Sequence, residues 1–432
     1  MSSVSTLGII KSYLMTERLL QFIWQFQYYN MNDLLTADGE PLSVFSPGTY
    51  NTDQGPDFLN ARIRIGKVIW SGSVELHLHT SDWNRHAHEN DPHYNNVILH
   101  VVWKDDGPAN DLPVLELEHR ISGLLLERYD RLLHSGEFIP CGNKIMTMED
   151  PAWHRWKDQL VSERLLRKAE MAEIFLRQNN YHWAETFWWM LARSFGSRLN
   201  ADFFESLAKS IPLSILARHK NQLHQLEALL LGQAGLLNGN WEDDYVILLQ
   251  REYQFLQHKY GLIQVHGQPL FLRMRPVNFP TVRLAQLAML IHQTSHLFAR
   301  VKDAAGLKEI YQWLDVTAND YWHYHYRLGE AGSFKPKKVG SVMIESIIIN
   351  TIIPVLHAYG HFYREQAMTE RVLRWLTELP AESNSIIEGY AGLGITTLNA
   401  FDSQAMLELK NSYCNRMRCL DCAVGNTLLK RG

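Results

Sequence analysis

Residues 55–83 read GPDFLNARIRIGKVIWSGSVELHLHTSDW, and the alternation near their end decides how the first part of the chain folds. Val74, Leu76 and Leu78 alternate with Glu75, His77 and His79. Successive side chains of a strand turn to opposite faces, so one face is apolar and the other carries a carboxylate and two imidazoles. The preceding FLNARIRI predicts a partner strand, joined through Gly66. The polar face is either wetted by solvent or built to hold a metal.

The flanking segments extend this unit. TERLLQFIWQFQYY (16–29) has apolar residues at helical spacing behind Thr16 as N-cap. EPLSVFS (40–46) predicts a short strand before a loop rich in Gly, Pro, Asn and Asp. DWNRHAHEN (82–90) predicts a short helix, NNVILHVVW (95–103) a β-branched strand, PVLELEHRI (113–121) another strand and SGLLLERYDRLLH (122–134) a helix. The core order is therefore αβββαβ.

Beyond residue 148 the texture changes. Asp150-Pro151 opens a long helix, and the segments after it keep the helical period, with roughly ten helices expected. DYWHYHYRLG (320–329) reads as an aromatic helix face. The expectation is an α+β protein, with an α/β domain over 1–147 and an all-α domain over 148–432 that ends in a cysteine-rich segment.

Composition limits the function classes. Hydrophobic residues make up 46% and charged residues 20%, which is ordinary for a globular chain. A net charge of −4 removes any general basicity, so nucleic-acid contact would have to rest on local patches. The N-terminus lacks the pattern of a signal peptide. The apolar run VGSVMIESIIINTIIPVLHAYG (339–360) contains Glu345, Asn350 and Pro354, which suits a buried helix better than a membrane span. A cytoplasmic protein with reduced thiols and no membrane contact is expected.

The polar face carries the chemistry. Carboxylates suit hard ions, and Mg²⁺ or Mn²⁺ held between two of them can stabilise charge on a scissile phosphate. Pro56-Asp57 before one strand and Glu75-Leu76-His77 on the next resemble the PD-(D/E)XK nuclease superfamily, with His77 where Lys is usual. The resemblance covers residues 15–105 and includes the αβββαβ order. It implies a restriction-endonuclease-like core in which Asp57 and Glu75 bind Mg²⁺ or Mn²⁺ and His77 orients water. Glu17 would be an auxiliary acid, and nucleic acid the substrate.

Asp57 has the strand parity of Leu59, Ala61 and Ile63, so it reaches such a site only from the strand's edge. His79, Asp82 and His86 are further auxiliary candidates, with Asp82 and His86 four residues apart. His100, among Ile98 and Val102, reads as a core histidine.

Two other readings stand beside this one. His77 and His79 with His86 or His88 would suit a zinc hydrolase with an open coordination position. A non-catalytic module binding nucleic acid or protein would leave the Glu/His face solvated. Such a module would use a basic groove, for which Arg273, Arg275 and Arg283 in RMRPVNFPTVRLAQLA are the anion-binding candidates. No HExxH, P-loop or GxSxG motif occurs.

YCNRMRCLDCAVG places Cys414, Cys419 and Cys422 as C-x4-C-x2-C, and Cys141 is the one remaining cysteine. The spacing predicts a four-thiolate site for Zn²⁺ or a [4Fe–4S] cluster. GPDFLNARI, GSVELHLHTSDWNRHAH, YNNVILHVVW, RPVNFPTVRLAQLA and YCNRMRCLDCAVG together resemble an uncharacterised Bacteroidetes family known only as a domain of unknown function. That resemblance implies a bacterial cytoplasmic protein and no established activity.

Overall fold

The structure is a computed structural model and describes residues 15–86, 91–107, 111–272 and 274–430, the side chains of Asn143 and Thr147 apart. The fold is mixed α/β in its N-terminal part and helical beyond it. Contacts divide the chain into two compact units. One comprises Met1–Trp156, Gly389–Ile395 and Leu409–Gly432, the other Lys157–Glu388 and Thr396–Glu408. The cysteine-rich segment expected at the end of the helical domain thus packs within the first unit.

In the first unit, helix α1 (Glu17–Gln25) precedes strands β1 (Leu42–Ser46), β2 (Thr49–Tyr50), β3 (Phe58–Ile65) and β4 (Val68–His79). The one-turn helix α2 (Asp82–Arg85), β5 (Val97–Lys104), β6 (Val114–Glu116) and α3 (Gly123–Leu133) follow. Helix α2 is shorter than DWNRHAHEN suggests, and residues 87–90 lie outside the described residues. The half-barrel sheet has the order β1-β3-β4-β5-β6, with β2 also on β3. Strands β1, β3 and β4 run antiparallel, while β4, β5 and β6 run parallel.

Helix α1 begins where its cap allows: the Thr16 hydroxyl accepts from the Leu19 N–H at 3.1 Å. Leu19, Leu20, Phe22 and Ile23 are buried in one cluster with Phe58, Val74, Leu76, Leu99 and Val101. Burial of each such side chain contributes roughly 1.5–3 kcal/mol.

The register of β3 on β4 holds the main departure from simple alternation. Phe58 pairs with Val74 and Ala61 with Gly72, so one extra residue is accommodated between them. Asn60 takes it up in the left-handed region at φ 59°. Phe58 and Ala61 are both buried, whereas Leu59 and Asn60 are exposed. The bulge inverts the phase inferred from the sequence and turns Asp57 away from the apolar cluster, toward the face of Glu75.

The described residues after residue 148 form sixteen α-helices rather than ten, because long periodic segments are broken. PLSILARHKNQLHQLEALLLGQAGLL, for example, splits into Leu213–His219 and Leu223–Gln233. DYWHYHYRLG is not one helix: Asp320–Tyr324 is helical, and His325–Arg327 pairs with Glu330–Ala331 as a small hairpin. Among the described residues one helix, Ser341–Tyr363, is long and apolar enough to cross a membrane, and 67% of its most apolar window is buried within the protein.

A buried acid illustrates how the helical unit satisfies its polar groups. Glu227 accepts from Tyr245 Oη at 2.7 Å and from Asn319 Nδ2 at 2.8 Å. Burial pushes its carboxyl up to about 7.

Two outcomes follow. Asn60→Val should lower stability by about 1–2 kcal/mol in denaturant unfolding, since a β-branched residue resists the left-handed region, while Asn60→Gly should be nearly neutral. Glu227 binds its proton more tightly folded than unfolded, so its contribution is full below pH 4.5 and is lost as pH rises to about 7. Across that window the wild type should lose roughly 3 kcal/mol relative to Glu227→Gln, measured as the difference between their urea unfolding curves.

Candidate functional site

The bulge and the parallel register of β5 collect polar groups on one side of β4. Glu75 stands opposite His100 across β4 and β5. Asp57 donates its backbone N–H to Glu75 Oε2 at 3.0 Å, and Leu76 donates its N–H to Asp57 Oδ2 at 3.0 Å. Gln21 Nε2 donates to Asp57 Oδ1 at 2.7 Å. Gln21 lies one turn after Glu17 on the side of α1 away from its core residues. The expected partners Asp57 and Glu75 are therefore adjacent.

Burial first, and then the Asp57 charge, pushes Glu75 up to about 9. Burial likewise raises Asp57 to about 6, against the hydrogen bonds from Gln21 and Leu76 that hold it down. Glu17 is raised by burial, with His86 opposing and Asp82 adding to the shift. Two or three carboxyls so close in a low-dielectric site do not all ionise without a cation.

His77 is the centre of an imidazole chain. Its Nδ1 stands 2.9 Å from His100 Nε2, and its Nε2 stands 3.0 Å from His86 Nδ1 and 3.5 Å from Glu75 Oε1. His77 and His100 are buried, and His86 is exposed. Trp83 packs its edge against His77 and its tilted ring against His100.

Ligand atoms of Glu17, His77 and His86 all lie within 4.8 Å of one another. Two ligands at right angles on bonds of about 2.1 Å stand about 3.0 Å apart, so the His77–His86 separation fits a shared ion as well as a hydrogen bond. With His100 on Nδ1, His77 presents Nε2 to such an ion. Glu116, Glu118 and His119 meet the same distance criterion near the end of β6, but all come from one short surface stretch.

His79 and Asp82 serve a different purpose from the one expected. The His79 backbone N–H donates to Asp82 Oδ2 at 3.0 Å, and Arg85 pairs with Asp82 Oδ1 at 2.6 Å. Asp82 thus ties the end of β4 to α2. Sequence reasoning missed Gln21 and Tyr94; His100 is buried as expected, but its ring meets His77. Burial, and then the charges of Glu75, Asp57 and Asp91, push the Tyr94 hydroxyl up to about 12. The Gln21 role had a signal in its four-residue spacing from Glu17, whereas Tyr94 had none.

The four cysteines line one small cavity of the first unit, beside Leu132 and Tyr413. They do not form the closed four-thiolate site expected from their spacing. Among the described residues, no three of their sulfurs lie within 4.8 Å of one another. Tetrahedral Zn²⁺ with bonds of about 2.3 Å needs sulfurs about 3.8 Å apart. Burial pushes Cys141 and Cys419 up to about 12 and raises Cys414 and Cys422 as well, with neighbouring thiols adding to the shift at Cys141, Cys414 and Cys419. Cys414, Cys419 and Cys422 are buried and Cys141 is half-buried; Cys419 belongs to the apolar cluster and Cys141 packs against it.

Of the arginine candidates of the helical unit, Arg275 and Arg283 are described. Arg283 donates to Asn278 Oδ1 at 2.6 Å and Gln286 Oε1 at 2.9 Å, bracing the turn before Pro280–Gln293. Arg275 is exposed, and Arg273 lies outside the described residues, as does His88 of the zinc reading.

No curated protein and no solved structure matches the chain. A family model matches residues 17–385, which include Glu17, Asp57, Glu75, His77 and His86 but not the last three cysteines. The chain belongs to the family described as Protein of unknown function (DUF2851).

Proposed function

We propose that the first unit is a metal-dependent hydrolase of phosphodiester bonds in nucleic acid, with a restriction-endonuclease-like core. The observation that carries the reading is the convergence of Glu17, His77 and His86, from three separate elements, beside the adjacent carboxyls of half-buried Asp57 and buried Glu75. Support for the core comes from the helix, three antiparallel strands, short helix and parallel strand that present these residues in the expected order.

In this reading Glu17, His77 and His86 hold the ion. Two imidazoles and a carboxylate favour Mn²⁺ or Zn²⁺ over the Mg²⁺ first considered. When bound, the ion supplies Lewis acidity toward a phosphoryl oxygen and activates water. His100 fixes the His77 tautomer through Nδ1, and Glu75, which accepts the Asp57 N–H, holds Asp57 in position. Gln21 and the Leu76 N–H hold Asp57 where it can take a proton from attacking water. The metal-ligand roles first given to Asp57 and Glu75 thereby become roles of positioning and proton transfer.

A second reading shares the site. Two His and one Glu are also the ligand types of hydrolytic zinc centres, in which the scissile bond need not be a phosphodiester.

Cleavage of labelled single- and double-stranded DNA and RNA separates these readings. Wild-type protein is assayed in Mn²⁺ and Zn²⁺ beside His86→Ala, whose exposed position leaves the fold intact. Cutting should fall by roughly 100-fold or more in the variant, the loss expected when the ion is removed from the reaction. Binding of nucleic acid without cutting in any ion would point to a non-catalytic module. Equal cutting by both proteins would contradict the site.

A further inference from the structure

The helical unit carries a separate concentration of charge that the hydrolytic reading does not use. Helices Trp183–Phe195 and Ser197–Ser210 meet through Gly196 alone. A Cβ on Gly196 would lie 2.4 Å from the Asn200 carbonyl oxygen, so the junction requires glycine. Ser197 follows at φ 51°, and no side chain caps the first turn of the second helix. Its leading N–H groups lie at the positive end of the helix dipole.

That first turn is one wall of a cavity of about 440 Å³, to which Ser197 and Arg198 contribute. Arg167, Lys168 and Arg193 also line it, and none of its described lining residues is acidic. Lys168 Nζ donates to two neutral amide oxygens, Asn350 Oδ1 at 2.8 Å and Gln404 Oε1 at 2.9 Å. Arg164 and Arg167 share a single carboxylate, Glu408, while Arg193 pairs with Asp202 and Glu205. Arg198 is exposed and enters no ion pair among the described residues. Glu382 also acts on Arg164 and Lys168, so among the described residues Arg198 is the lining cation for which no acid is found.

Asn350 is set by a local irregularity of its helix. It lies in the π-helical turn Ile348–Ile352 and donates from Nδ2 to the Ser346 carbonyl at 2.9 Å, which turns its Oδ1 to Lys168. Such insertions recur at functional sites. Burial, and then the charges of Arg164 and Arg167, push Lys168 well below the ordinary lysine range, with Glu382 and Glu408 opposing the shift.

We propose that this cavity binds a phosphomonoester. Arg198, Lys168 and the first-turn N–H groups after Gly196 hold the phosphate, and the organic part lies against Met171 and Met190. The volume falls within the range of about 300–1,000 Å³ found for small-ligand sites, enough for a nucleotide as well as its phosphate. The proposal does not depend on the metal site of the first unit.

Calorimetric titration of the full chain tests it with inorganic phosphate, adenosine 5′-monophosphate and a short 5′-phosphorylated oligonucleotide. Adenosine and the 5′-hydroxyl oligonucleotide serve as controls. At least one phosphorylated probe should bind about tenfold or more tightly than its unphosphorylated counterpart, the preference that charge-assisted hydrogen bonds provide. Arg198→Glu should lose that preference, whereas His86→Ala should keep it. Binding of the mononucleotide alone would mark a small-molecule site, and binding of the oligonucleotide alone a nucleic-acid end; either upholds the proposal. It is overturned if no phosphorylated probe binds the wild type, or if Arg198→Glu binds as the wild type does.

Discussion

Two backbone N–H groups hold the site of the first unit together. Asp57 donates to Glu75, and Leu76 donates to Asp57, so each carboxylate is seated by the strand that carries the other. The exchange depends on the bulge at Asn60. Unbroken alternation back from Ala61 and Ile63 would set Asp57 among apolar side chains and Phe58 outside. One residue in the left-handed region reverses this and keeps Phe58 in the core. The position of Gln21 beside Asp57, and of Glu17 one turn before it, follows from how α1 packs on that same core.

Crowding acids and imidazoles out of water is costly for a fold, and the first unit offsets the cost with framework. Arg18, next to Glu17, pairs with Asp421, and Tyr28 Oη donates to Asn426 Oδ1 at 3.2 Å. Leu420 and Leu429 join the cluster behind the sheet. The C-terminal segment thus steadies the helix that presents Glu17, and its cysteines contribute as buried thiols around a small cavity. Glu227 in the helical unit shows the contrasting solution for a buried acid. There, a Tyr and an Asn satisfy one carboxyl.

Much of the first unit was legible in the sequence because its signals are local. Thr16 caps α1, the Glu75–His79 alternation is a strand, and the β-branched run after Asn96 is its parallel neighbour. The bulge was not legible. Asn60 in FLNARIRI carries no mark of a positive φ, and so the parity of Asp57 was inferred with the wrong sign. His100 was taken for a core residue because its neighbours in sequence are apolar, yet its ring reaches His77 across two strands. The cysteine spacing suggested a metal site, but spacing constrains only neighbours in the chain. Separation of the sulfurs depends on how the whole segment packs. His325–Arg327 escaped notice because a three-residue strand is too short to show a period.

The account's central claim is that Glu17, His77 and His86 share one ion. Anomalous diffraction from crystals of the full chain soaked in Mn²⁺, with data above and below the manganese edge, tests it most directly. The account predicts one strong peak within about 2.0–2.3 Å of the Glu17 carboxylate, His77 Nε2 and His86 Nδ1. A peak coordinated instead by other side chains, or no peak near His77 while His86 Nδ1 remains hydrogen-bonded to it, would contradict it.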